Sequence, residues 1–564
     1  MNFDQKLKNS AIAIEGKICL DEVPTGRMSD TFPEGCALPQ AAVSGDETMT
    51  SVEPRGAVLN FKSVLQSTTH FVGASYLARI LCAARSFINA RILGPELYGF
   101  WGSLSFLVSF GFHFHGGVQD VMIKQIPTLR SHGRNDLARE TAQVSFSFFS
   151  LMMAIAVAVV WFHAARLPAA VPMHVKWGWW IVGLVLPLEV LYFFEQTVTR
   201  CEERFRTLNA SLLLSSIVSL ILTCWLVVRY SIAGLYVMAI VAPLIGLVYL
   251  RKRAVYPWRF AWRWDQIIGM LKVGWPILAM TLIFESLGWT DRFLVLAFVG
   301  TTGFGYYMLG FMALQVCFLF PQAMASIVEP KLFYDYARHQ RVSDIREHLL
   351  FPLKTLSIIL PMGLAVVDLL LPVVIGHLFP AYLPGVPAMR VLVWGSVFMG
   401  LLVSTKSFIV AIGKQKKVLL FYIAAVLVHL AVSTTLAFYG WGLVGIATGT
   451  LVAYAVCATE LLIFVFLKIG ESMMTVLRRI GSLYLPSALV FGVTVVVPFG
   501  LPKILQGISP NAVMAVEGVG IVLCCGVFYF SLRRYFREYL SWNLDKMCSL
   551  APVIENVPPV ETLI

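Results

Sequence analysis

The stretch VGTTGFGYY at residues 299–307 repeats LGPELYGFW at residues 93–101, and that echo decides the fold. Gly94 falls on Gly300 and Gly99 on Gly305, Tyr98 aligns with Phe304, and Phe100-Trp101 align with Tyr306-Tyr307. Each copy lies in a short turn between two long apolar runs. A weaker echo follows at the next connection, where IPTLRSHGR (126–134) resembles EPKLFYDYAR (329–338). Similarity recurring once at this separation means two copies of one structural block in a single chain.

The surrounding composition says what the block is made of. Of 564 residues, 58% are hydrophobic and only 13% are charged, the balance of an integral membrane protein. Apolar runs of roughly twenty residues recur about fourteen times, each long enough to cross a bilayer as a helix. They begin near 68, 97, 140, 177, 209, 232, 273, 304, 352, 386, 418, 441, 483 and 512. The fold class expected is an all-α polytopic membrane protein with two six-helix lobes and a C-terminal helix pair. Six is an even number, so both blocks start on one side of the membrane and are parallel, related by a pseudo-two-fold axis along the membrane normal. The expected divisions are a first lobe at 61–255, a second at 256–470 and accessory helices at 471–532. Residues 533–564 form a cytoplasmic tail. Residues 1–60, with nine Asp/Glu against five Lys/Arg, form a disordered acidic one without the basic start and apolar core of a signal peptide.

Charge alternates between the connections. Lys124, Arg130, Arg134 and Arg139 fall in one, Arg200, Arg204 and Arg206 in the next but one, then Arg251, Lys252, Arg253, Arg259 and Arg263. The same side receives Lys331 to Arg346, Lys414 to Lys417, Lys468 to Arg479, and Arg533 to Arg537. The opposite connections hold only Arg91, Arg166, Lys176, Arg229 and Lys503. Such asymmetry places the basic loops and both termini in the cytoplasm, and accounts for the net charge of +12 without a nucleic-acid partner. The ten cysteines are scattered without metal-ligand spacing, and no GxxxxGK[ST] run is present, so no cofactor is expected. The outer loops are short, which argues against a polysaccharide polymerase or ligase, since such an enzyme is expected to present a sizeable outer loop with catalytic groups.

Charges inside apolar helices are costly, each about 2.5–3.5 kcal/mol at a helix centre, and usually face a bundle interior or a watery cavity. The run 273–299 holds Glu285, Asp291 and Arg292. Glu285 and Arg292 are seven residues apart and share a face, whereas Asp291 points elsewhere, with packing as natural a role for it as substrate contact. Arg79 and Arg85 lie in the first span on faces about 120° apart. Glu189 follows Pro187, and Asp368 sits between Pro361 and Pro372, where prolines bend helices. Guanidinium groups grip phosphate oxygens in bidentate fashion, so the arginines are candidates for a phosphate-bearing substrate. The carboxylates either carry coupling protons or ions, or neutralise the arginines.

At this point the residues carry a likeness. GASYLARILCAARSFINARILGPELYGFWGSL (73–104) with IPTLR, and GWPILAMTLIFESLGWTDRFLVLAFVGTTGFGYYMLG (274–310) with FPQAMASIVEPKLF (320–333), resemble bacterial polysaccharide transporters. These are the lipid-linked oligosaccharide flippases of the multidrug/oligosaccharidyl-lipid/polysaccharide exporter superfamily. The sharpest signature is Asp291-Arg292 followed by the Gly-aromatic turn. The resemblance implies two six-helix lobes working by alternating access in the bacterial cytoplasmic (inner) membrane. It implies transport, not catalysis, of polyprenyl-diphosphate-linked oligosaccharides for O-antigen, exopolysaccharide or capsule, with proton or sodium gradients or the membrane potential driving the cycle. By position, Arg79, Arg85 and Arg292 would meet the diphosphate, and Glu285, Asp291, Glu189 and Asp368 would be the coupling or cavity carboxylates. Membrane lipids and polysaccharide polymerase machinery would be partners. The alternatives are a drug/cation exporter of the same superfamily, which needs acidic cavities, and a membrane-embedded polymerase or ligase. A major-facilitator carrier ranks lower, because HGGVQDVMIKQIPTLR lacks that family's GxxxDRxGRR pattern.

Overall fold

The computed structural model describes residues 61–339 and 345–504, with Val342 and a few positions between 518 and 526. The tails expected at 1–60 and 533–564, and nearly all of the helix expected near 512, lie outside the described residues. Those described are helical apart from short connections, with no strand among them. The stretch Phe61–Gly111 is two arms, α1 (61–93) and α2 (95–111), broken at Gly94, whose φ of 69° and ψ of 174° are not helical. The short α3 (Val118–Ser131) buries Val121, Met122 and Ile126 and exposes Lys124 and Arg130. The first block is completed by α4 (Asn135–Ala165), α5 (Met173–Cys201), α6 (Phe205–Tyr230) and α7 (Ile232–Arg251). The second comprises α8 (Trp264–Phe298), α9 (Gly300–His339), α10 (Arg346–Leu378), α11 (Val386–Ala411), α12 (Gln415–Leu436) and α13 (Gly442–Lys468), and α14 (Met473–Ile504) follows.

Ten stretches among the described residues are long and apolar enough to span a membrane, and the longest, Lys416–Lys468, is α12 and α13 parted at Gly440 and Gly442. A helix satisfies its own backbone in lipid, which is why this composition admits no other element. One apolar core runs through Met122, Phe149 and Leu186 of the first block and another through Leu353, Phe408 and Phe466 of the second.

The repeat is visible in the backbone. Gly300, between α8 and α9, has a φ of 84°, matching Gly94 between α1 and α2. A π-turn at Thr223–Val227 near the end of α6 has its counterpart at Ala437–Trp441 after α12. Ser231 then takes φ 53° and ψ −128°, and Gly442 takes φ 49° and ψ −126°. The two copies also touch through equivalent residues. A Cβ on Gly99 would lie 1.9 Å from the Thr301 carbonyl oxygen, and one on Gly305 would lie 1.9 Å from that of Pro95. Contact of a residue with its own counterpart marks a two-fold axis, here passing between α2 and α9.

Ser231 occupies a conformation that its counterpart fills with glycine, and a side chain there costs about 1–3 kcal/mol. Ser231→Gly is therefore expected to raise the melting temperature in detergent. An unchanged or lower value would show that the surrounding packing, not the residue, sets the conformation.

Toward the basic end of the bundle the blocks meet again, where Gly117 and Gly274 bring their backbones so close that a Cβ on either would sit 2.2 Å from the other's carbonyl oxygen. Much of the charge at that end is spent on holding helices. Arg130 pairs with Glu202 at 3.2 Å, Arg251 with Glu195 at 3.2 Å, and both Arg346 and Arg479 with Glu471 at 2.9 Å. Burial, reinforced by its 2.5 Å hydrogen bond to Glu202, pushes the Tyr256 phenol well above its ordinary range.

Candidate functional site

Two cavities lie on either side of α2. The one in the first block, about 380 Å³, is lined by α1, α2, α5, α6 and α7, with Met308 of α9 at its edge. It holds Arg85, Asn89, Trp101 and Glu189, and serines from α1, α2 and α6. The other, about 270 Å³, lies in the second block and holds Glu285, Arg292, Gln315 and Tyr454 among aromatic side chains. The helical period of α2 keeps them apart. Gly102, Ser105 and Ser109 face the first cavity, while Phe106 and Phe110 pack on Phe293 and Trp289 on the other side.

The three candidate arginines are not gathered at one point. Arg85 lies in the first cavity, where its Nη1 has only the Met238 sulfur at 3.9 Å and its buried Nε has no partner. Arg292 lies in the second, its guanidinium 4.2 Å from the Phe311 ring centroid and 5.6 Å from that of Phe106, and its Nε also without a partner. Neither forms an ion pair with a described carboxylate. A guanidinium held over an aromatic face keeps its charge available at the ring-free edge, which suits it to an incoming anion. Arg79 is exposed and donates to Gln322 Oε1 at 3.1 Å, tying α1 to α9.

The carboxylates divide likewise. Glu189 lines the first cavity with Arg85, and Glu285 lines the second with Arg292. Glu285 is also 3.2 Å from His113 Nε2, in the turn after α2, so it reaches across the seam between the blocks. Asp291 is fully buried and wired into the helix packing. Its Oδ2 accepts from Tyr307 Oη at 2.7 Å, Tyr307 meets Thr450 at 3.0 Å, and Thr450 meets His429 Nε2 at 3.1 Å. That chain joins α8, α9, α13 and α12. Asp368 lines neither cavity. Both of its oxygens accept from Arg390, at 2.9 and 2.8 Å, and Arg390 donates onward to the Thr494 carbonyl of α14 at 3.1 Å.

Sequence reasoning passed over Asn89, Arg390 and the serines of the first cavity. Asn89 leaves 4% of its surface exposed and its Oδ1 has no partner, an arrangement that only a structure reveals. Arg390 had a signal, since an arginine just inside an apolar run calls for a buried acid and Asp368 is in the neighbouring span.

A search of curated proteins yields no match. Among solved structures the chain is similar to the lipid II flippase MurJ in an inward closed conformation, with a TM-score of 0.63 at 15% identity over 84% of this chain and 100% of that one. It is also similar to an inward-facing multidrug resistance MATE family transporter of the MOP superfamily, with a TM-score of 0.59 at 14% identity over 69% and 94% of the two chains. A point mutant of the Vibrio cholerae MATE transporter VcmN gives 0.52 at 13% identity over 73% and 98%. At these identities the likeness establishes the fold alone. The family described as polysaccharide biosynthesis protein matches residues 88–384, more than half of the chain. The chain is a multi-pass membrane protein that belongs to the polysaccharide biosynthesis protein family.

Proposed function

We propose that this protein is a flippase that moves polyprenyl-diphosphate-linked oligosaccharide units across the bacterial cytoplasmic membrane for surface polysaccharide synthesis. The observation that carries the reading is the pair of guanidinium groups, Arg85 and Arg292, each in a cavity inside a membrane-spanning block without a carboxylate partner. Retaining an unpaired charge in such a place is expensive, and a head group bearing phosphate and hydroxyls supplies what the arginines lack. The two lobes, 61–255 and 256–470, alternate about the axis between α2 and α9, opening the seam first to the cytoplasm, where both termini lie, and then to the outside. A proton or sodium gradient, with Glu285 or Glu189 as the coupling carboxylate, drives the cycle, and the exported unit passes to polymerase machinery.

The test is deletion of the protein followed by leaflet-resolved mass analysis of the lipid-linked sugars. Complete units are expected to accumulate on the inner leaflet, with rescue by the wild-type chain and none by Arg85→Ala or Arg292→Ala variants inserted at normal levels. Units reaching the outer leaflet and failing there to polymerise would instead assign the protein to a later, enzymatic step.

A further inference from the structure

The two cavities differ in chemistry, and the difference divides a head group between them. In the second, Arg292 stands among aromatic rings, and Glu285 has His113 as a partner across the seam. In the first, Arg85 from α1 and Glu189 from α5 line one space without a salt bridge between them. A diphosphate would meet an arginine and a carboxylate in either cavity, but Glu285 is engaged by His113 at 3.2 Å while Glu189 is left beside Arg85, and like charges in a low-dielectric site repel strongly. Hydroxyl groups bear no such penalty.

The polar groups of the first cavity suit hydroxyls in another way. Guanidinium, carboxylate and carboxamide are planar groups that engage two neighbouring hydroxyls at once, the first donating, the second accepting and the third doing both. Asn89 lines the cavity, is 4% exposed, and its buried Oδ1 has no hydrogen-bond partner, and the buried Nε of Arg85 is likewise unmatched. Serines from three helices add hydroxyls that both give and take. Trp101 supplies a flat aromatic surface, complementary to the C–H face of a sugar ring. The volume, about 380 Å³, is that of a small-molecule pocket.

Resting on the flippase reading, we infer that the first-block cavity is a glycan subsite that holds an uncharged sugar residue, while the diphosphate of the same molecule is held by Arg292 in the second block. The partition formed by α2 sets the two subsites on opposite sides of the seam. A substrate with both parts therefore bridges the lobes, whereas a bare lipid diphosphate engages only one. The sugar nearest the diphosphate thus becomes the element that couples substrate binding to lobe movement.

The experiment measures binding to the full-length protein in nanodiscs by native mass spectrometry. The probes are polyprenyl diphosphate alone and the same lipid carrying one glucose, galactose or N-acetylglucosamine. At least one sugar is expected to tighten binding about tenfold, the equivalent of 1.4 kcal/mol. Asn89→Leu and Glu189→Gln should erase that gain while the bare lipid binds as before, and Arg292→Ala should weaken bare and glycosylated lipids by the same factor. Asn89→Ser serves as the milder variant if the leucine protein melts below the wild type. Equal binding of bare and glycosylated lipid by the wild type, or equal weakening of both by the Asn89 and Glu189 variants, overturns the assignment. Failure of the wild type to bind even the bare lipid strikes the flippase reading itself, so the two failures are distinguishable.

Discussion

Arg390→Ala is expected to destabilise the protein by about 3–5 kcal/mol, among the largest effects available to one substitution. Asp368 is 1% exposed and both of its oxygens are held by Arg390, so removing the arginine strands a carboxylate inside α10 with no water to solvate it. The loss also releases the Thr494 carbonyl, weakening the tie between α11 and α14. The double replacement Asp368→Leu with Arg390→Met should recover most of the stability, because a buried ion pair is worth little against an apolar pair of similar volume. Membrane proteins often unfold irreversibly, so the fitting measurement is the half-life of monodisperse protein in detergent at a fixed elevated temperature. Half-lives of the single variant within about twofold of wild type would mean that the pair is more hydrated than its burial suggests.

This pair also shows where reading the sequence stops. A charge in an apolar run is conspicuous, and Arg85, Glu189, Glu285 and Arg292 were all visible as charges needing a reason; each lines a cavity. Asp368 was equally visible, yet it braces three helices, because what a buried charge faces depends on the neighbouring helix and not on its own span. Asp291 follows the same rule: the helical period turns it away from Glu285 and Arg292, but Tyr307, Thr450 and His429 come from helices whose registers no local pattern gives. Asn89 and the serines were hidden for another reason. Small polar residues are common between membrane helices, so their count says nothing until the structure shows which of them line a cavity.

The fold was legible to a greater depth, since glycine records backbone geometry directly. Gly94 and Gly300 marked equivalent breaks, and both have positive φ. By contrast the paired π-turns, TCWLV and AFYGW, have no residue in common at any aligned position, and their equivalence appears only in the conformations of Ser231 and Gly442. Backbone hydrogen bonding tolerates many side chains at a π-turn, whereas a close approach of two backbones tolerates only glycine.

That intolerance makes the seam sensitive to any added side chain. Gly99→Val and Gly305→Val should each reduce flipping more than tenfold, even in variants that reach the membrane. Each new side chain would begin 1.9 Å from a backbone oxygen of the facing helix, and a backbone carbonyl cannot swing aside as a flexible side chain does. The arms of α2 and α9 must therefore part, at a cost of about 1–3 kcal/mol or more, and the state sealed at this end of the axis is depopulated. Gly363→Ala is the control, since a Cβ there meets nothing within 4 Å. Because Gly99 and Gly305 face each other across the axis, either replacement forces the same separation. The melting shifts of the single alanine variants should be similar, and the double variant should fall well short of their sum. Independent, additive shifts would mean that the two glycines act at separate contacts, and the reciprocal packing expected of a two-fold seam would not survive that result.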